Sequence, residues 1–161
     1  MCGIAGIYAF TPEGSESFGL MKHALNTMQK RGPDCQKTYA ESKISFGHAR
    51  LSIIDLSDAA SQPFKDVTGR YTIIFNGEIF NYRELRANLV KKGLPIKTQS
   101  DTETLLYQYI IDGPKCLDKL VGFFAFAVYD SREDHLFIAR DRMGQKPLLF
   151  YRNRDRLVLP P

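Results

Sequence analysis

Phe124-Ala125-Phe126-Ala127-Val128-Tyr129 is apolar at every position. A strand with one wet face alternates apolar and polar side chains, so an unbroken apolar run reads as a strand covered on both faces. Ser131-Arg132-Glu133-Asp134 follows as a turn, residues 135–140 return as a strand, and residues 148–151 add another. Working back toward the N-terminus, residues 71–75 form a short apolar strand that ends at Asn76-Gly77, a dipeptide suited to turns. Residues 37–40 and 44–50 read as a hairpin, and residues 4–10 as an apolar strand. Between these strands lie helical patterns. Phe18, Met21, Leu25 and Met28 recur at helical spacing and predict a helix over about 16–30, stopped by Arg31-Gly32-Pro33-Asp34. Asn81 with Glu84, and Ser100 with Glu103, have the spacing of capping boxes. Leu85 and Leu89 give the first of these helices its buried side, and Leu105, Leu106, Tyr109 and Ile110 the second. Gly93 and Gly113 end them. Strands at both ends with helices between predict an α+β fold in which sheets are sandwiched by helices.

The bulk composition agrees with one soluble domain. The chain has 161 residues, 43% of them hydrophobic and 25% charged. No apolar run reaches the roughly 20 residues of a membrane-spanning helix, and no signal-peptide pattern opens the chain, so no membrane partner is expected. Cys2, Cys35 and Cys116 are odd in number and lack CxxC spacing, which argues against a disulfide framework or a zinc site and favours the reducing cytoplasm. The net charge is +4, with Arg140, Arg142, Lys146, Arg152, Arg154 and Arg156 gathered near the end. Asp141 and Asp155 interrupt that run, so it reads as a solvated or docking face and not as a nucleic-acid patch.

Cys2 is the first residue with a chemical reading. A small residue in second place permits removal of Met1, which would leave a thiol and a free α-amine on Cys2. An N-terminal amine titrates near ~8, so it can serve as a base attached to its own nucleophile. Arg50, Asn76, Gly77 and Asp101 sit at strand ends or helix starts. Singly, each has a plain structural reading: a surface ion pair, a turn, an N-cap contact. As a set they suit an amino acid with a side-chain amide. Arg supplies a cation for the α-carboxylate, Asp an anion for the α-ammonium, and an Asn amide with a Gly N–H a home for an oxyanion.

Several segments carry a family resemblance. They are Cys2-Gly3-Ile4-Ala5-Gly6, Arg31-Gly32-Pro33-Asp34, Gly47-His48-Ala49-Arg50-Leu51-Ser52-Ile53-Ile54-Asp55, Gln62-Pro63, Phe75-Asn76-Gly77-Glu78-Ile79-Phe80-Asn81-Tyr82, Ser100-Asp101-Thr102-Glu103, Gly122-Phe123-Phe124-Ala125-Phe126-Ala127 and Arg140-Asp141-Arg142-Met143-Gly144-Gln145-Lys146-Pro147. In that order the chain resembles the N-terminal glutaminase domain of glutamine-hydrolysing asparagine synthetases, the class II or N-terminal nucleophile glutamine amidotransferases. The resemblance implies one such domain over residues 1–161, built as a four-layer αββα sandwich of antiparallel sheets. It implies Cys2 as nucleophile with its own α-amine as base, and Arg50 on the glutamine carboxylate. The backbone of Leu51, Ser52, Ile53 and Ile54 would line that end, with Asn76 and Gly77 on the oxyanion and Glu78 and Asp101 on the substrate, Asp101 nearest the α-ammonium. L-glutamine is the implied substrate, and a synthetase domain or subunit the acceptor of ammonia. No metal or organic cofactor is implied for this half.

ATP and Mg are expected only in a synthetase domain, since no Ser-Gly-Gly-x-Asp-Ser or GxxxxGK[ST] loop is present here. Leu157-Val158-Leu159-Pro160-Pro161 reads as a strand cut near a domain boundary. Two alternatives stay open: the same glutaminase serving a sugar or natural-product acceptor, and a non-catalytic docking or regulatory remnant. The resemblance also leaves room for a homodimer. His48, His23 and His135 are not expected to act as the base, and Cys35 and Cys116 are expected to be buried thiols.

Overall fold

The computed structural model describes residues 2–161. The expected removal of Met1, and with it the free amine on Cys2, lies outside the described residues. In chain order the elements are β1 (Gly3–Ala9), α1 (Pro12–Ser15), α2 (Met21–Thr27), β2 (Cys35–Glu41), β3 (Ile44–Arg50), β4 (Phe64–Lys65), β5 (Tyr71–Ile79), α3 (Tyr82–Lys91), α4 (Asp101–Asp112), β6 (Gly122–Asp130), β7 (His135–Arg140), β8 (Tyr151–Arg152) and β9 (Arg156–Leu159). One antiparallel sheet has the order β2-β3-β1-β9-β8, and the other β4-β5-β6-β7.

Strand parity sorts the side chains into layers. Ile4 on β1, Ile44 and Phe46 on β3, Leu159 on β9, and Ile74, Ala125, Ala127 and Tyr129 on the other sheet meet between the sheets. The opposite faces take the helices. Ala5, Ile7 and Ala49 pack against Met21 and Leu25 of α2 and the adjoining Met28. Ile73, Phe75, Phe126 and Val128 pack against Leu105, Leu106 and Tyr109 of α4 and Leu85 of α3. The result is the expected four-layer αββα sandwich. Each fully buried large apolar side chain contributes about 1.5–3 kcal/mol, so the inter-sheet layer is a principal source of stability. The run that opened the sequence reading, 124–129, is indeed covered on both faces: its even residues face α4 and its odd ones the other sheet.

Several local expectations are corrected. The single helix over about 16–30 is broken into α1, a 3-10 segment (Glu16–Leu20) and α2. Pro12 and the Thr11 cap start α1, while Ser15, Ser17 and Gly19 are weak helix formers that let the chain tighten between the two pieces. The apolar stripe survives because Phe18 and Met21 are three apart, which a 3-10 turn keeps aligned. Residues 148–150 do not pair; Pro147 precedes them, and Leu148 turns inward against the inter-sheet layer. Only Tyr151 and Arg152 reach β9. Residues 157–159 belong to β9, held between β1 and β8. Asn81 makes no capping box: its side chain donates to the Lys119 carbonyl (2.9 Å) and accepts from Val121 N–H (3.1 Å) instead. At α4 the box is half made. Ser100 Oγ accepts Glu103 N–H (3.2 Å), but the Glu103 carboxylate turns to Lys97 and Thr98.

Candidate active site

Cys2 precedes β1, whose register pairs Gly3 with Ala49 and Ile4 with His48. Carried one step on, that register sets Cys2 opposite Arg50. The half-buried Cys2 sulfur meets the backbone just beyond Arg50: it accepts Leu51 N–H at 3.4 Å and donates to the Leu51 carbonyl at 3.6 Å.

Arg50 is buried, so its surface ion-pair reading is wrong. Its guanidinium ties down the loop that follows. Nη1 donates to the Ser57 carbonyl (2.9 Å) and Ser61 Oγ (3.1 Å), and Nη2 to the Asp55 carbonyl. The loop is braced from outside as well. Ser52 N–H donates to Asp34 Oδ2 at 2.7 Å, and Gln99 N–H to Asp55 Oδ2 at 2.9 Å. Hydrogen bonds from Ser57 hold the Asp55 carboxyl below its ordinary range. Gly32 of the Arg-Gly-Pro-Asp segment presses on β3: a side chain there would run into the Ala49 carbonyl. These contacts hold the backbone of Leu51, Ser52, Ile53 and Ile54 along one wall.

The facing wall comes from β5, and the turn expected at Asn76-Gly77 is absent because the strand continues to Ile79. β6 runs so close that a Cβ on residue 77 would come within 2.7 Å of Phe124 Cα, which explains the glycine. Phe75, Gly77 and Ile79 share one edge of the strand. Phe124, the register partner of Gly77, gives its N–H and carbonyl to Asp141 on its other side (3.2 and 2.8 Å), so Gly77 is not hydrogen-bonded to it. Phe75 N–H is taken by Gln62 Oε1 at 2.6 Å and Ile79 N–H by Asp101 Oδ2 at 3.2 Å. The Gly77 N–H lies between them, directed away from β6. The buried Asn76 side chain shares the inter-sheet face of Ile74.

Asp101 opens α4 and is 6% exposed. Burial pushes its carboxyl up to about 6; the Glu78 charge adds to this, and backbone N–H groups of Ile79, Thr102 and Asp101 oppose it. Beyond an N-terminal contact, then, it presents a carboxylate to the cavity.

All these groups meet in one cavity of about 260 Å³. Every residue expected for the site lines it: Cys2, Arg50, Leu51, Ser52, Ile53, Ile54, Asn76, Gly77, Glu78 and Asp101. So do residues to which the sequence assigned no role, notably Gln62, Thr102, Phe123 and Lys146. Gln62 ties β5 to α4, donating from Nε2 to Thr102 Oγ1 (3.1 Å) while it accepts from Phe75 N–H. Its only signal in the sequence was membership of Gln62-Pro63; Lys146 was hidden in a basic stretch.

His48 also lines the cavity. Burial, with the Arg50 charge behind it, holds its imidazole down to about 3, against a weaker opposing contribution from the Phe75 backbone. Neither ring nitrogen is solvent-exposed or hydrogen-bonded among the described residues. Such a group is a poor proton acceptor for a thiol. His23 and His135 are exposed and outside the cavity. Cys116 is buried in the α4 layer, and burial pushes its thiol up to about 12. Cys35 is only half-buried, at the start of an outer strand, so the expectation of a buried thiol fails there. Among the described residues no group of three or more His, Cys, Asp or Glu is arranged for a metal ion, and no helix is long and apolar enough to cross a membrane.

The model of the glutamine amidotransferase domain family matches residues 1–159. The chain belongs to that family. This amidotransferase domain is 41% identical over 154 residues to glutamine-hydrolyzing asparagine synthetase 3 of Bacillus subtilis, covering 93% of this chain and 25% of the relative. It is 39% identical over 151 residues to glutamine-hydrolyzing asparagine synthetase B of Escherichia coli, covering 92% and 26%. The domain thus spans about a quarter of the length of these curated relatives. Its fold is that of the glutamine phosphoribosylpyrophosphate amidotransferase of B. subtilis, with a TM-score of 0.79 at 20% identity over 99% of this chain and 41% of the other.

Proposed function

We propose that this amidotransferase domain hydrolyses L-glutamine to glutamate and ammonia through a thioester on Cys2, and passes the ammonia to an ATP-dependent synthetase domain or subunit. The observation that carries the reading is the convergence in one small cavity of a thiol, a buried arginine and a buried aspartate on separate walls, and a strand edge whose Gly77 N–H has no hydrogen-bond partner among the described residues, beside an asparagine. A cavity of about 260 Å³ suits a small polar metabolite better than a drug-sized ligand.

In this reading Arg50 and the backbone after it receive the α-carboxylate, and Asp101 with Glu78 receives the α-ammonium. The γ-amide is then held toward Cys2. The sulfur attacks the amide carbon, and the oxyanion is met by the Asn76 side chain and Gly77 N–H. The carbon–nitrogen bond breaks as the nitrogen takes a proton, and ammonia leaves. The base is the Cys2 α-amine, freed by removal of Met1; the neutral, sealed His48 supports that choice by removing its nearest rival. Water then cleaves the thioester. ATP and Mg belong to the synthetase portion, and the domain's own reaction uses neither. The names of the relatives favour asparagine as the eventual amide product.

The test is glutamate release from L-glutamine by the mature protein and by Cys2→Ala. The variant should lose hydrolysis and keep glutamine-dependent thermal stabilisation. Substantial turnover by Cys2→Ala would remove the thioester route, and absence of turnover in mature protein lacking Met1 would favour a binding remnant.

A further inference from the structure

The Gly77 N–H has no partner among the described residues, and what aims it lies on either side of it. Residues 75, 77 and 79 share one edge of β5, so the Phe75 and Ile79 N–H groups flank the Gly77 N–H, each two residues away. Both flanks are tied to the same place. Ile79 N–H donates to Asp101 Oδ2 at 3.2 Å. Phe75 N–H donates to Gln62 Oε1 at 2.6 Å, and Gln62 Nε2 donates in turn to Thr102 Oγ1 at 3.1 Å. Asp101 and Thr102 are consecutive residues in the first turn of α4. That turn is a fixed post. Ser100 Oγ accepts Glu103 N–H, and the buried Glu103 carboxylate takes the N–H groups of Lys97 and Thr98. Gln62 and Thr102 are themselves buried, so water competes little for the bond between them. The amide of Gln62 has one orientation here. Phe75 offers a donor, so the oxygen faces it, and the nitrogen is left to face the Thr102 hydroxyl, which can accept.

We propose, on the glutaminase reading above, that Gln62 and Thr102 are positioning residues for the oxyanion. Together with Asp101 they hold β5 by the two N–H groups that flank Gly77, so that the Gly77 N–H points to where the oxygen stands in the tetrahedral state. The pair acts through the strand. A misplacement of about 1 Å at a reacting centre can cost about 10²-fold in rate, and outright loss of one oxyanion donor about 10²–10³-fold. Affinity for glutamine rests on other groups, Arg50 and Asp101 at the α end, and neither depends on the bond between Gln62 and Thr102. Breaking that bond therefore lowers turnover and spares binding.

The experiment uses the full chain with Met1 removed and measures kcat and KM for glutamate release in Thr102→Val, Thr102→Ser, Gln62→Leu and the double variant Gln62→Leu/Thr102→Val. Calorimetry on the same variants carrying Cys2→Ala gives the Kd of L-glutamine without turnover. Thr102→Val keeps the shape of the side chain and removes the hydroxyl. It should lower kcat by about tenfold to 10²-fold and change the Kd by less than about threefold. Thr102→Ser, which restores the acceptor, should recover most of the turnover. Adding Thr102→Val to Gln62→Leu should cost little more than Gln62→Leu alone, because both break one path. Circular dichroism checks that each variant is folded, and if one is not, the other residue's kcat and Kd decide the matter. Full turnover in Thr102→Val, equal losses of kcat and affinity, or additive losses in the double variant would overturn the proposal and leave the glutaminase reading intact. A parent chain that lacks Met1 and releases no glutamate would remove both.

Discussion

Replacing Asp101 by Asn should stabilise the ligand-free domain while removing its response to glutamine. Asp101 is 6% exposed, and burial raises its carboxyl from the ordinary 3.8 to about 6. The folded state therefore holds this proton more tightly than the unfolded chain, and ionisation at neutral pH opposes folding. A gap of roughly 2 pH units at 1.36 kcal/mol each is a penalty of about 3 kcal/mol. Asn keeps an oxygen to accept the Ile79 N–H and carries no charge. Its advantage over the parent should be full above pH 6, fade as pH falls from 6 toward 3.8, and vanish below. The assay is urea unfolding followed by far-UV circular dichroism, since the chain has no Trp. With slopes of about 1–3 kcal/mol/M, the midpoint at pH 7.5 should rise by about 1 M or more. Glutamine should no longer stabilise the variant, because the α-ammonium has lost its counter-charge. In the parent, glutamine affinity should weaken below pH 6 for the same reason. A variant less stable than its parent at pH 7.5, or an advantage that does not change with pH, would refute the reasoning.

Asn76→Ala should lower kcat by about 10²–10³-fold with a smaller change in KM, as removal of one oxyanion donor does; a KM effect alone would exclude that role. Arg50→Ala should weaken glutamine at least about tenfold and also expose the 51–61 loop to protease, since three hydrogen bonds from a charged group are lost together. Unchanged affinity would take Arg50 off the carboxylate. Gln62→Leu should destabilise the fold by about 1–3 kcal/mol by orphaning the buried Phe75 N–H, and should reduce kcat/KM; unfolding and steady-state kinetics check the two halves separately.

Much of the fold was legible because it rests on local periodicity. The run at 124–129 announced a strand covered on both faces, and the stripe of Met21, Leu25 and Met28 announced the face that packs on β1 and β3. Where local reading failed, a distant partner had intervened. Asn76-Gly77 has the composition of a turn, but β6 lies against it and carries β5 on to Ile79. Asn81 has the spacing of a cap, but Lys119 and Val121 claim its side chain.

The site divides in the same way. By itself the sequence determined the chemical inventory: an early cysteine, an arginine after a strand, an Asn-Gly pair, an acidic helix start, all on segments shared with the family. Only the tertiary structure decided what those groups do to one another. The β1–β3 register brings Cys2 to Arg50 and Leu51, and strand pairing directs Gly77 N–H away from β6, with no partner among the described residues, between two neighbours that are taken. Burial turned Arg50 from a surface candidate into the clamp of a loop, raised Asp101, silenced His48 and brought Lys146 out of a basic stretch onto the cavity wall. A side chain's direction along its own strand is a local, period-two property. Its neighbour across the sheet, and the water it loses there, depend on residues far away in the chain.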